Sequence, residues 1–205
     1  MSFLEFKDKM FSLGCFTTHQ VYAWVPGFDR NNFVRWVKKG LLIRLRQGYY
    51  TFPEYKNQAD FSFYIANRMY RPSYVSLHTA LAFYGLIPEA VIQTTSVTSL
   101  KTANFQNALG SFSYKSIREE LMFGYQSKAI RGGFSIQLAQ PEKALLDLLY
   151  LHPFYQSAQD MEELRLDEDL LHEDFDLGLL DESLHRYKTK ALEKRVKQFL
   201  KTYGL

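Results

Sequence analysis

Residues Phe16 to Phe52 constrain this chain more than any other stretch, because their order spells two short capped helices followed by a basic hairpin. Thr17 and Gln20 stand at capping-box spacing, so each side chain can satisfy one unpaired amide at a helix start, and Phe16 and Val21 fall where a hydrophobic staple packs. The helix begun at Thr17 stops near Val25, since Pro26 disfavours a helical residue before it and Gly27 permits the turn that follows. Asp29 caps a second helix, Arg30 to Lys39. Phe33, Val34, Trp36 and Val37 fall on one side of it and Asn31, Asn32, Arg35, Lys38 and Lys39 on the other. Gly40 ends this helix, and Leu42 to Arg46 and Tyr49 to Phe52 flank Gln47-Gly48 as strands of a hairpin. Trp24 and Trp36 lie on apolar helix faces and are expected in the core, with Tyr49 packed beneath the hairpin.

Between Asp29 and Phe52 the basic residues are Arg30, Arg35, Lys38, Lys39, Arg44 and Arg46 against Asp29 alone, a local charge of +5 in a chain whose total is only +3. Two capped helices and a basic hairpin in this order are the pattern of a winged helix-turn-helix. Cations concentrated there neutralise phosphates and release condensed counterions. Double-stranded operator DNA is therefore the expected partner. Asn31, Asn32 and Arg35 are the expected readers of base edges, and Arg30, Lys38, Lys39, Arg44 and Arg46 the backbone contacts. Thr17 and Thr18 add phosphate contacts from a helix N-terminus. The alternative reading of the same unit is a protein-docking module with no specific DNA target, its cationic face merely solvated.

The hydrophobic content of 46% supports a packed core, and 17 Phe and 14 Tyr supply much of it. No stretch approaches the ~20 apolar residues that span a bilayer. The opening residues Met1 to Met10 suit an amphipathic helix and lack the apolar run of a signal peptide, so a cytoplasmic location and no membrane association are expected. Cys15 is the only cysteine, which fits a reducing compartment, and beside Phe16 it is expected to be buried.

The polar run Glu54 to Gln58 marks the expected join between an N-terminal domain, residues 1–56, and a second domain, residues 57–205, with a connecting helix from about Ala59 to Tyr70. Ser76 reads as the N-cap of a helix from Leu77 to Tyr84, closed by Gly85. Val91 to Thr98, Gly110 to Ile117, Met122 to Ile130 and Phe134 to Leu138 read as strands, and Pro141 as the first position of a helix to Leu151. The expected fold class is α+β: the winged helix-turn-helix followed by a mixed α+β domain with a C-terminal helix. Asp160 to Glu182 holds eleven acidic residues and one Arg, whereas Arg186 to Lys201 holds seven basic residues and one Glu. The second run lies within an apolar stripe from Leu184 to Tyr203 that predicts one terminal helix. The acidic run reads equally as a solvated loop, a DNA-mimicking lure or a docking surface.

Several of these pieces together resemble a known family. Gly40-Leu41-Leu42-Ile43-Arg44 with Gln47-Gly48-Tyr49-Tyr50 comes first, then Tyr74-Val75-Ser76-Leu77-His78-Thr79-Ala80-Leu81 with Tyr84-Gly85-Leu86-Ile87-Pro88, then Pro141-Glu142-Lys143-Ala144-Leu145-Leu146-Asp147. In this order they resemble the AbiEi antitoxins of bacterial abortive-infection systems. The resemblance spans Phe16 to Leu151 and leaves the tail after Pro153 unassigned. It implies an N-terminal winged helix that binds operator DNA to repress its own operon, and a C-terminal domain that counteracts a nucleotidyltransferase toxin, AbiEii. In such type IV systems antagonism does not require a stable complex, so no toxin-binding interface is inferred. Proteins of this architecture also serve as plain transcriptional regulators.

An enzymatic reading needs a constellation of reactive groups. His78 with Glu89 or Glu142 is the candidate acid–base pair, against the commoner case of a histidine hydrogen-bonded within a structural helix. His19, His152, His172 and His185 lack metal-ligand spacing. Gly110-Ser111 is not followed by the paired aspartates that a Mg²⁺-dependent nucleotidyltransferase needs, and Asp167 and Asp169 have metal-pair spacing only within the acidic run. The chain is expected to be non-enzymatic, with no catalytic residues, no metal and no cofactor.

Overall fold

The computed structural model describes residues 1–88 and 92–205. The first helix, α1 (Phe3–Met10), is closed at its start by a capping box between Ser2 and Glu5. A short strand β1 (Cys15–Thr17), helices α2 (Thr18–Trp24) and α3 (Asn31–Lys38), and a hairpin of β2 (Ile43–Arg46) and β3 (Tyr49–Thr51) follow. The three strands form one antiparallel sheet in the order β1-β3-β2. Aromatic rings fill the space between sheet and helices: Phe6 lies 4.7 Å from Trp36 and 5.4 Å from Phe16, and Phe33 stacks on Tyr50 at 4.8 Å.

The expected boundaries hold closely here. The Thr17 side chain accepts from the Gln20 amide as the cap of α2, and Gly40 takes the left-handed φ of +69° that ends α3; Asp29, expected as the cap of α3, stands one residue before the cap position held by Arg30, and its carboxylate accepts from the Asn31 amide at 2.9 Å. Two side chains depart from expectation. Trp24 is 38% exposed at the end of α2, and Val34 is 53% exposed, because the buried face of α3 is centred on Phe33 and Trp36. Strand β1, only three residues long, had no alternating pattern to announce it.

The remainder is built on a six-stranded mixed sheet in the order β6-β7-β5-β4-β9-β8. Its strands are β4 (Ser73–Val75), β5 (Gln93–Thr98), β6 (Ala103–Asn107), β7 (Gly110–Ser116), β8 (Tyr125–Ile130) and β9 (Phe134–Ala139). Pairing is parallel between β4 and β9 and between β5 and β7, and antiparallel elsewhere. The expected strand from Val91 starts at Gln93, and Val91 itself falls outside the described residues. Strands β4 and β6 escaped the sequence reading, the first because all three of its residues are buried and therefore do not alternate. The strand expected from Met122 begins at Tyr125.

Helix α4 (Phe61–Met69) packs on β4, β5 and β9, while α5 (Leu77–Phe83) and α6 (Pro141–Leu151) pack on each other and α6 supports the tail. The acidic run forms short helices: α7 (Ala158–Glu162), α8 (Glu168–Asp174) and the start of α9 (Leu177–Tyr187). Its acids act as caps. Asp160, Asp167 and Asp176 accept amide hydrogens from Ser157, Leu170 and Leu179, which favours helix starts electrostatically as well as by hydrogen bonding. The single terminal helix expected from Leu184 is divided. Lys188 adopts a left-handed φ of +50°, and α10 (Lys190–Tyr203) returns across α6 and α7, where the Tyr203 hydroxyl donates to the Met161 carbonyl at 2.8 Å.

Two of the sequence motifs meet in the interior. Tyr74 and Ser76 each donate to Asp147 Oδ2 at 2.8 Å, Tyr187 donates to Asp147 Oδ1 at 2.8 Å, and Lys143 Nζ donates to both Asp147 Oδ1 and the Tyr187 hydroxyl. Ser76 thus spends its hydroxyl on Asp147, and the expected capping bond to α5 is absent. Lys143 and Asp147 are both fully buried, and the ammonium also faces the Phe123 ring at 4.6 Å.

The two sheets share a continuous aromatic seam. Tyr55, within the expected join, stacks on Phe61 at 4.6 Å, Phe134 packs on Tyr64 at 4.5 Å, and the Tyr64 hydroxyl donates to the Leu13 carbonyl at 2.7 Å. Asn107 reaches from β6 to the Leu45 carbonyl at 3.2 Å. Among the described residues no helix is long and apolar enough to cross a membrane.

Candidate nucleic-acid interface

Three elements of the N-terminal unit converge on one concave surface. A groove of about 320 Å³ is lined by Thr18 and Tyr22 from α2, by Arg30, Phe33 and Val34 from the region of α3, and by Arg44, Gln47, Gly48 and Tyr50 from the hairpin. The geometry follows from local rules. Arg30 and Val34 are four residues apart, the spacing that stacks side chains on one helix face, and Arg44 is paired with Tyr50 across the hairpin. The hairpin tip is tied to α2 by a 3.0 Å hydrogen bond from the Thr18 amide to the Gly48 carbonyl.

The sequence-derived residues separate into groups. Thr18, Arg30 and Arg44 line the groove together. Asn31, Arg35, Lys38 and Lys39 are exposed on α3 and its end, on the solvent side of the same helix. Arg35 donates to Asn32 Oδ1 and pairs with Asp29 at 3.4 Å, so the guanidinium, the amide and the one local carboxylate form a surface chain. Thr17 is occupied as the α2 cap, its hydroxyl accepting from Gln20 at 3.2 Å. His19 is exposed one residue into α2.

Arg46 is placed elsewhere. In a regular strand Arg44 and Arg46 would share a face, yet the register pairs Arg44 with Tyr50 and Arg46 with the adjacent Tyr49, so the extra residue between them turns Arg46 to the opposite side. Its guanidinium lies over Tyr49 at 4.3 Å and within 5.9 Å of Tyr70 and 5.5 Å of Phe105, in the seam between the two sheets. Tyr49 is accordingly packed, half-buried under that guanidinium.

Residues that the sequence reading did not select also shape the groove. Val34, assigned to the apolar face, lines it, as do Gln47 and Gly48 at the hairpin tip. The i, i+4 relation of Val34 to Arg30 was the available signal. For the acid–base candidate, Glu89 lies outside the described residues, and the buried Glu142 carboxylate accepts the Asp176 amide at 2.8 Å at the start of α9. Burial raises the Glu142 carboxyl above its ordinary range, and the Asp176 amide opposes this. His78 sits 6.3 Å from His152, whose proton affinity is lowered by burial and by that neighbour. Asp167, half of the spaced acidic pair, caps α8.

No protein-family model matches the chain, and no curated protein sequence matches it.

Proposed function

We propose that residues 1–56 form a winged helix-turn-helix and that the chain is a sequence-specific, cytoplasmic DNA-binding regulator without catalytic activity. The observation that carries this reading is the groove where the start of α2, the outer face of α3 and the hairpin tip meet, with Arg30 and Arg44 on its walls. In the proposed complex α3 enters the major groove. Arg30, Lys38, Lys39 and Arg44 hold phosphates, Asn31, Asn32 and Arg35 address base edges, and the Thr18 hydroxyl, its amide being held by Gly48, adds a phosphate contact. Val34 supplies an exposed apolar group suited to a thymine methyl. Arg46 is left out of this set, since its guanidinium is engaged by three rings of the seam.

The AbiEi resemblance supports a more specific role, an antitoxin that represses its own operon and counteracts a nucleotidyltransferase toxin without a required stable complex. Two of the motifs that carry the resemblance, Tyr74 to Leu81 and Pro141 to Asp147, join through the bonds of Tyr74 and Ser76 to Asp147, which supports reading them as parts of one designed unit.

The test is a footprint and gel shift on the DNA upstream of the chain's own gene. Protection of a discrete site by the native chain, lost when Arg30 and Arg44 are both changed to Ala, is the expected result. Equal affinity for any duplex, or no retention at all, would sink the regulator reading and favour a protein-docking role for the same fold. Co-expression with a neighbouring nucleotidyltransferase gene tests the antitoxin role separately, through restored growth.

A further inference from the structure

A second groove lies away from the N-terminal unit, between α4 and the β8–β9 hairpin. Two voids of about 450 Å³ and about 310 Å³ share Asn67, Arg71 and Gln137 on their walls, so they adjoin. Arg68 lines one part, and Ser73 and Tyr125 line the other.

The groove is cationic by construction. Arg68 lies in the last turn of α4 and Arg71 two residues beyond its end, and among the described residues neither forms an ion pair with a carboxylate. Among the described residues Arg71 spends only its Nε, donated to the Asn67 carbonyl at 3.2 Å, which leaves the outer edge of the guanidinium for a ligand. Arg71 is exposed, and its partial desolvation, then the charge of Arg68, lower its proton affinity, with Tyr64 and Cys15 opposing this. An anion between them relieves that repulsion and takes charge-assisted hydrogen bonds.

Independent features point to the rest of the ligand. Ser73, 9% exposed, lines the groove floor with a hydroxyl that has no hydrogen-bond partner among the described residues. Asn67 cannot serve the ligand, because its amide clamps β9 through the Gln137 backbone: it accepts the Gln137 amide at 2.7 Å and donates to the Gln137 carbonyl at 3.3 Å. That clamp makes the wall rigid. At the rim Tyr125 stacks on Tyr74 at 4.6 Å with the rings nearly parallel, and it remains 38% exposed. A planar aromatic backed by a second ring is a stacking platform for a flat heterocycle.

We propose that this groove binds a nucleotide, with Arg68 and Arg71 holding its phosphate and Tyr125 stacking its base. The ligand is free in solution or forms the 5′-phosphorylated end of a strand, since both present the same group. This inference is independent of duplex binding by the N-terminal unit, because it uses none of the residues of that groove.

The test is calorimetric titration of the full chain with adenosine monophosphate, adenosine, inorganic phosphate and a short 5′-phosphorylated single strand. One saturable site for the monophosphate is expected, with adenosine and phosphate each weaker by about tenfold or more. Arg68→Ala and Arg71→Ala should each weaken the monophosphate by about tenfold, with partial recovery in Arg68→Lys, which keeps charge but loses the planar fork. Tyr125→Leu should weaken the monophosphate and leave phosphate binding unchanged. A strand that binds more tightly than the monophosphate and displaces it identifies a strand end as the ligand. No saturable binding, or monophosphate affinity unchanged in both Arg68→Ala and Arg68→Lys, would overturn the proposal even if the Arg71 variant fails to fold.

Discussion

The backbone amide of Thr18 donates to the carbonyl of Gly48 across 3.0 Å, so the first residue of α2 is fastened to the tip of the β2–β3 hairpin. An amide that would otherwise be available to an anion at a helix start is thereby used to position the hairpin. Gly48 can make this bond because it adopts a φ of +77°, and a Cβ there would also lie 3.4 Å from the Thr18 hydroxyl.

Gly48→Ala is therefore expected to cost about 1–2 kcal/mol through the left-handed backbone alone. For a chain of this length each kcal/mol lowers the thermal midpoint by about 2–4 °C. Differential scanning calorimetry checks this, and an unchanged midpoint would mean that the tip is not held in the conformation described.

Arg44 and Arg46 are expected to behave differently despite their i, i+2 spacing. Arg30→Ala with Arg44→Ala should weaken duplex binding for every sequence and reduce the slope of log K against log salt by about 2, one counterion-release contribution for each lost phosphate contact. Arg46→Ala should leave that slope intact and lower stability instead, since its cation–π contacts lie in the seam. Equal loss of salt dependence in Arg44→Ala and Arg46→Ala would contradict the bulged register.

Removing the ammonium of Lys143 leaves Asp147 charged and enclosed among Tyr74, Ser76 and Tyr187. Lys143→Met should therefore destabilise by about 3–5 kcal/mol in denaturant unfolding. Adding Asp147→Leu should recover a large part of that loss, because the uncompensated charge goes with it. If the double variant is instead as unstable as the sum of the two single variants, the pair is not coupled as described.

Cys15 is 1% exposed, and burial pushes its thiol up to about 12. The folded protein should resist thiol reagents at pH 8, where the unfolded chain reacts fully. Tyr74 and Tyr187 are likewise raised well above 10.0, by burial first and then by the charge of Asp147. A group whose proton affinity is higher in the folded state stabilises below its unfolded value, and that contribution is lost as pH rises toward the folded value. Stability should then decline above about pH 9, starting near the ordinary thiol value of 9.0 and steepening past the tyrosine value of 10.0. A denaturation midpoint flat from pH 8 to beyond those values would refute this.

Local chemistry made much of this molecule readable in advance. Thr17 with Gln20, Asp29, Gly40, Gly48 and Pro141 each mark an element boundary through bonds or dihedrals that involve only near neighbours, so α2, α3, the hairpin and α6 follow from local residues alone. The other features depend on partners far along the chain. The three-residue strands β1 and β4 exist because strands distant in sequence, β3 for the first and β5 and β9 for the second, pair with them, and Ser76 turned from its local cap because Asp147, 71 positions away, offered a buried acceptor. The candidate sites divide the same way. Concentration of charge around α3 was visible in composition, but a single extra residue in β2 sent Arg46 into the seam and left Arg44 on the groove. The meeting of Arg71 with Tyr125, more than fifty residues later, on one groove required β8 and β9 to fold back beside α4, and no local spacing encodes that approach.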